Sequence, residues 1–201
     1  MIRVLLAEDQ VLVRGALAAL LSLEPDIEVV AQVGRGDAVV EEALRSRPHV
    51  ALLDIEMPGE DGIAAAAALR SRLPECRVLM LTTFGRPGYL RRAMAAGAAG
   101  FMLKDVPAAE LAVAIRRTIR GERVLDPGLA AQALAEGDSP LSPRETEVLA
   151  AAADGSGAAA VARRLFLSEG TVRNHLSSAI QKLNARNRAE AARIAQEKGW
   201  M

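Results

Sequence analysis

Short apolar runs alternating with stretches of helical period predict an α/β fold, and a purely helical remainder predicts a second, small all-α domain after it. Three observations carry this reading. The runs Ile2–Ala7, Ile27–Val33, Val50–Leu53, Arg77–Leu81 and Gly100–Leu103 have the length of buried strands. Between them Val11, Leu12, Ala16, Leu20 and Leu23 fall near a 3.6-residue period, as do Leu111, Ile115 and Ile119. From Leu141 onward only helical patterns remain. Strands alternating with helices argue for βαβ units, hence a parallel sheet covered by helices on both faces. Five strands fit residues 1–124, a linker fits 125–140, and the helical domain fits 141–201.

Each element has a local reason. The linker "LDPGLAAQALAEGDSPLSP" carries prolines and glycines around one short helical stretch. "LSPRETEVL" opens the helical domain with Ser142 as N-cap, Pro143 at the first helical position and Glu145 three residues after the cap. "ARRLFLSEGTVRNHLSSAIQKL" reads as helix, tight turn, helix, with Ser168 capping the second. Val172, Leu176, Ile180 and Leu183 make its buried stripe. Leu12, Leu20 and most of the Leu111–Ile119 helix are expected in the core, the alternative being a dimer face.

Composition bounds the function classes. Half of the 201 residues are apolar, but only five are aromatic, so the cores must be aliphatic. A single cysteine, Cys76, rules out an internal disulfide and fits a reducing compartment. The first apolar run breaks at Glu8, before a signal-peptide core forms, and no run approaches the length of a membrane helix. A cytoplasmic protein without a membrane partner is expected. The net charge of zero hides an asymmetry: residues 163–193 carry seven basic and two acidic side chains. Such an excess on helices suits a polyanion.

In a parallel sheet ligands gather at the carboxyl ends of the strands. Glu8 and Asp9 follow the first run, Asp54 the third, Thr82 the fourth and Lys104 the fifth. Three carboxylates converging there would raise one another's pKa, and a hard cation such as Mg²⁺ removes that repulsion. With a lysine and a hydroxyl beside it, Asp54 has the surroundings of a carboxylate that accepts a phosphoryl group. An aspartate-nucleophile phosphohydrolase needs similar groups, but there the nucleophile follows the first strand in an Asp-x-Asp arrangement. "GRGDAV" at Gly34 lacks the third glycine of a dinucleotide fingerprint, since Val39 stands in its place.

On the acidic pair Glu8–Asp9, Asp54 in "DIEMPGEDG", Thr82, and Lys104 in "GAAGFMLK", residues 1–124 resemble the receiver domain of a two-component response regulator. The resemblance implies a flavodoxin-like doubly wound sheet in the order 2-1-3-4-5. It implies Mg²⁺ held by Glu8, Asp9, Asp54 and the backbone carbonyl of Glu56, with phosphorylation of Asp54 by a sensor histidine kinase. It makes Thr82, Phe101 and Lys104 the residues that sense the phosphate and switch. Two positions depart from the family: Glu8 stands where Asp is more usual, its extra methylene letting it reach a metal through water, and Asp105 follows Lys104 where many receivers have proline.

"LSPRETEVL", "LFLSEGTVRNHLSSAIQKL" and "ARNRAEAARIA" resemble the LuxR-type helix-turn-helix of the NarL/FixJ subfamily. By that match Arg173, Asn174 and Ser177 face bases of double-stranded DNA, while Thr171, Lys182 and Arg188 approach phosphates. Arg and Asn suit guanine and adenine. "GSGAAAVARRL" departs from the family, which often has a Ser-Asn-Lys-Glu type of stretch where this chain has Gly157–Ala160, so a lysine that contacts phosphate is missing. The two resemblances together imply a regulator, not an enzyme. Phosphorylation would promote a homodimer, and the dimer would meet a promoter with two half-sites. The dimer surface would be either the first and last receiver helices or the fourth helix with the fifth strand and helix.

Overall fold

The computed structural model describes residues 1–83, 87–135 and 139–201, which form two compact units, the first within residues 1–130 and the second made of 131–201 together with 87 and 88. In the first unit β1 (Ile2–Ala7), β2 (Ile27–Val33), β3 (Val50–Asp54), β4 (Arg77–Thr82), β5 (Gly100–Leu103) and β6 (Val124–Leu125) form one parallel sheet. Its order is β2-β1-β3-β4-β5-β6. The helices between the strands are α1 (Val11–Ser22), α2 (Val39–Ser46), α3 (Gly62–Arg72), α4 (Pro87–Ala96) and α5 (Ala108–Ile119).

The five expected strands and their order hold, and the sixth is an addition. Val124 and Leu125 pair with Gly100 and Phe101. Two residues carry no periodicity, so nothing in the pattern marks them as a strand. Gly100 makes the pairing workable, because a Cβ there would press on the Val124 carbonyl. Leu125 of the expected 125–140 linker therefore ends a strand, α6 (Pro127–Ala135) follows it, and residues 136–138 of that stretch lie outside the described residues.

Strand side chains alternate between faces. Val4, Leu6, Leu52, Leu79 and Leu81 meet Leu21 of α1 and Leu111 and Ile115 of α5 on one side. Leu5, Leu53, Met80 and Phe101, of the other parity, are equally buried. Each such side chain taken out of water contributes about 1.5–3 kcal/mol, so aliphatic burial on both faces holds the sheet without many aromatics.

The α1 expectation is corrected. Leu12 is 88% exposed and Leu23 78%, with Val11 and Leu20 exposed as well. The buried stripe is Leu17, Ala18 and Leu21. This helix is apolar nearly all round, so its periodicity did not fix which phase faces the sheet. On α5, Leu111 and Ile115 are core, while Val113 and Ile119 stay exposed.

The second unit holds α7 (Pro143–Ala152), α8 (Ala158–Leu165), α9 (Glu169–Lys182) and α10 (Arg188–Glu197) around Val148, Leu149, Val161, Val172, Leu176 and Leu183. The capping box on α7 forms as expected: Ser142 Oγ accepts from Glu145 N–H, and the Glu145 carboxylate accepts from Ser142 N–H. Ser168 caps α9 through Thr171 N–H. Among the described residues no helix is long and apolar enough to cross a membrane.

Candidate functional site

The register brings the strand ends level: Asp54 lies beside Leu81, and Thr82 beside Leu103. Glu8, Asp9, Asp54, Thr82 and Lys104 therefore come to one edge of the sheet. Lys104 Nζ lies 2.6 Å from Glu8 Oε2 and 2.9 Å from Asp54 Oδ2. Asp54 Oδ1 accepts from Ile55 N–H at 2.7 Å, and Glu8 Oε1 from Gln10 N–H at 3.1 Å. Oxygens of Glu8, Asp9 and Asp54 all lie within 4.8 Å of one another, which suits a hard cation with oxygen ligands. A cleft of about 320 Å³ opens over them, lined by Asp9, Gln10, Asp54, Glu56, Thr82 and Thr83.

Burial sets the electrostatics. Glu8, Asp54 and Thr82 are buried, whereas Asp9 is exposed. Desolvation pushes the Glu8 and Asp54 carboxyls above their ordinary range, and the hydrogen bond from Lys104 only partly offsets it. Desolvation also works against the Lys104 charge, but its bonds to Glu8 and Asp54 outweigh that and raise its pKa.

Phe101 is fully buried on β5, paired with Met80. Thr82 stands two residues beyond Met80, so Thr82 and Phe101 share one sheet face at a diagonal position. The loop after β3 is fixed by its neighbours. Gly36 N–H donates to the Pro58 carbonyl at 3.1 Å, and a Cβ at Gly36 would run into the Glu60 carbonyl. The "GRGDAV" glycine thus serves a close approach of two loops. Tyr89 Oη donates to Glu56 Oε1 at 3.1 Å, tying α4 to the cleft's rim. The sequence reading missed that pair, since no spacing links residues on different elements.

On the second unit, α9 leaves Arg173, Asn174 and Ser177 exposed on one side. Arg173 pairs with Glu169 at 2.7 Å, and the Thr171 hydroxyl lies 2.8 Å from Ser168 Oγ. Lys182 Nζ donates to Glu145 Oε2 at 2.7 Å, while Arg188 donates to the Ser156 and Gly155 carbonyls at 2.6 and 2.9 Å. Thr171, Lys182 and Arg188 are thus tied into the unit. Glu145 was read from sequence only as a cap. It also accepts from Ser178 Oγ at 2.6 Å. Ser178 and Lys182 stand four residues apart, so one helix face presents both donors.

Comparison with known proteins bears on both units. Residues 4–116 match the family model of the response regulator receiver domain, and residues 139–195 that of the bacterial regulatory proteins of the luxR family. An uncharacterized transcriptional regulatory protein of Bacillus subtilis, YvfU, is 46% identical over 201 residues, covering 100% of both chains. The crystal structure of the response regulator ChrA of a heme-sensing two-component system is 35% identical with a TM-score of 0.58, covering 100% of this chain and 98% of the other. The RcsB–DNA complex, also a two-component response regulator, is 25% identical with a TM-score of 0.68, covering 98% of each chain.

Proposed function

The chain belongs to the DNA-binding transcriptional response regulators of two-component systems, a receiver followed by a LuxR-type helix-turn-helix, and on that premise we propose that Asp54 is its phosphoacceptor. It is a regulator rather than an enzyme, as its relatives are. The observation that carries the proposal is the buried Asp54 carboxylate, 2.9 Å from a lysine and beside two further carboxylates at one sheet edge.

A sensor histidine kinase presents a phosphohistidine at the cleft. An Asp54 carboxylate oxygen attacks the phosphorus, the P–N bond breaks, and the histidine leaves. Glu8, Asp9, Asp54 and the Glu56 carbonyl are the residues that would hold Mg²⁺, Glu8 reaching it through water. Bound there, the ion would screen the carboxylates and polarise the phosphoryl oxygens. Lys104 turns from Asp54 to a phosphoryl oxygen, and the Thr82 hydroxyl donates to another. Phe101, on the same sheet face as Thr82, follows it. This is a local charge change that biases a two-state equilibrium.

The favoured state is a homodimer. Val11, Leu12, Leu20 and Leu23 on α1, with Val113 and Ile119 on α5, leave apolar side chains in water. That exposure favours the α1–α5 surface over the α4–β5–α5 surface as the dimer face. Two α9 helices then meet two half-sites of a promoter in the major groove. Arg173, Asn174 and Ser177 face bases. The Arg173–Glu169 pair is solvent-exposed, worth about 1 kcal/mol at most, so a guanine can displace Glu169. Thr171, Lys182 and Arg188 approach phosphates, each long side chain keeping N–H groups beyond those bonded to Glu145 or the carbonyls. The cytoplasm, where the DNA is, is the compartment this reading needs.

The test is intact mass after incubation with Mg²⁺ and a small phosphoryl donor, for the wild type and Asp54→Ala. One phosphoryl adduct in the wild type and none in the variant supports the reading. No adduct on folded wild-type protein overturns it.

A further inference from the structure

The arginines of the second unit are not equivalent. Arg144, Arg164, Arg173, Arg186 and Arg193 each pair with a carboxylate, and Arg188 is held by the Ser156 and Gly155 carbonyls. Arg163, in the last turn of α8, is exposed and has no hydrogen-bond or ion-pair partner among the described residues. Phe166 follows about one helical turn later. Its ring is 95% exposed, and its backbone lies in the left-handed region at a φ of 54°, where glycine or asparagine is the usual residue. Ser168 and Glu169, which open α9, are exposed as well.

We propose that Arg163 and Phe166 make a further DNA contact beside α9, the guanidinium on a backbone phosphate and the phenyl ring against the adjoining deoxyribose. This rests on the reading of α9 given above and deepens it.

Charge, strain and position each support it. An arginine that already answers a carboxylate must give up that pair to bind a phosphate, whereas Arg163 gives up only water. Its planar fork suits two phosphate oxygens at once. Strained backbone conformations collect at binding sites, where the surrounding structure holds them. Phe166 is such a residue, and its ring gains almost nothing by packing within the unit, so what it offers, it offers to a partner. The turn leads straight into α9: Phe166 is two residues before Ser168, the N-cap of the helix whose first turns carry Arg173 and Asn174. The strip is thus continuous with the DNA face proposed for α9. Contacts to phosphate and sugar fix register without reading sequence.

The test uses the full-length protein and two DNA duplexes, one selected by the wild type from a random pool and one of scrambled sequence. Fluorescence anisotropy gives the affinity across a salt series. Arg163→Gln should make the slope of log affinity against log salt shallower by about 0.9 per protomer bound. Phe166→Gly should weaken binding about threefold or more at every salt through lost apolar contact, with the slope unchanged because a ring releases no counterions. Both losses should be equal on the two duplexes, since neither contact reads a base. A cation in the last turn also suits the helix on its own account, so the urea midpoint is followed alongside by Trp200 fluorescence; a role in folding alone would shift the midpoint and leave the salt slope as it is. The proposal is overturned if Arg163→Gln keeps the wild-type slope or Phe166→Gly keeps the wild-type affinity, results that would leave the strip to a protein partner. Arg173→Ala is the control for α9. If it binds the selected duplex as tightly as the wild type does, the α9 reading itself fails, an outcome distinct from the other two.

Discussion

The ammonium of Lys182 on α9 lies 2.7 Å from Glu145 Oε2 on α7, and Ser178 Oγ, one turn earlier on α9, reaches the other oxygen of that carboxylate at 2.6 Å. One buried side chain therefore caps α7 through Ser142 and seats α9, the helix proposed to meet DNA. The Lys182, Ser178 and Ser142 bonds hold the Glu145 carboxyl at about 2, against an ordinary 4.5. A depressed carboxyl pKa stabilises the folded state fully above the unfolded value and loses that contribution as pH falls through the folded one. Glu145→Gln should cost the second unit about 2 kcal/mol at neutral pH. The gap from wild type should close between pH 4.5 and 2. Trp200, the single tryptophan, packs against this unit's core, so its fluorescence reports the unfolding. A gap that does not vary with pH would show that the carboxylate's charge is not what seats α9.

Phe166, in the turn between α8 and α9, has a φ of 54° and is 95% exposed. A side chain in the left-handed region costs about 1–2 kcal/mol, and this one recovers almost nothing by packing. Phe166→Gly should stabilise the unit by about 0.5–1 kcal/mol, the glycine's greater unfolded freedom taking back part of the gain. Urea denaturation followed by Trp200 fluorescence measures it. A loss of stability would mean that the ring makes contacts of value.

Ala159 stands in the stretch where the resemblance to LuxR-type domains leads to the expectation of a lysine, and α8 begins at Gly157 without a side-chain cap. Ala159→Lys should add one phosphate contact. The slope of log affinity against log salt should then steepen by about 0.9, with tighter binding at low salt. Gly157→Ser should instead add a few tenths of a kcal/mol to stability through a cap and leave the salt slope unchanged. Filter binding or fluorescence anisotropy across a salt series separates the two effects. An unchanged slope for Ala159→Lys would place α8 away from the phosphate backbone.

The fold and the cleft were legible in the sequence for one reason. A parallel sheet forces strand ends together, so Glu8, Asp54, Thr82 and Lys104 could be set side by side from their positions after apolar runs. What escaped was set by contacts rather than by pattern. β6 is two residues long and exists because Gly100 lets a backbone approach. The buried phase of α1 could not be read from a helix apolar on every side. The second duty of Glu145 and the Tyr89–Glu56 bond join residues far apart in sequence. In the helix-turn-helix the exposed residues were read from the cap at Ser168 and the buried stripe, but Lys182 and Arg188 proved to be tied to protein groups as well.

Leu12 and Leu23 leave α1 with an exposed hydrophobic face. If phosphorylation of Asp54 drives a dimer through α1 and α5, a charge placed in that face must be desolvated on association. Leu12→Glu should then weaken the phosphorylated dimer by tenfold or more, since a single uncompensated buried charge costs several kcal/mol. The monomer should keep its stability, because Leu12 is already in water and contributes little to the core. Sedimentation equilibrium of phosphorylated wild type and Leu12→Glu, with phosphate content checked by intact mass, reads both. Affinity for a single half-site should be unchanged, and the loss should appear only on DNA with two half-sites. Equal dimerisation of the two proteins would move the interface off α1, and the α4–β5–α5 surface would become the face to mutate next.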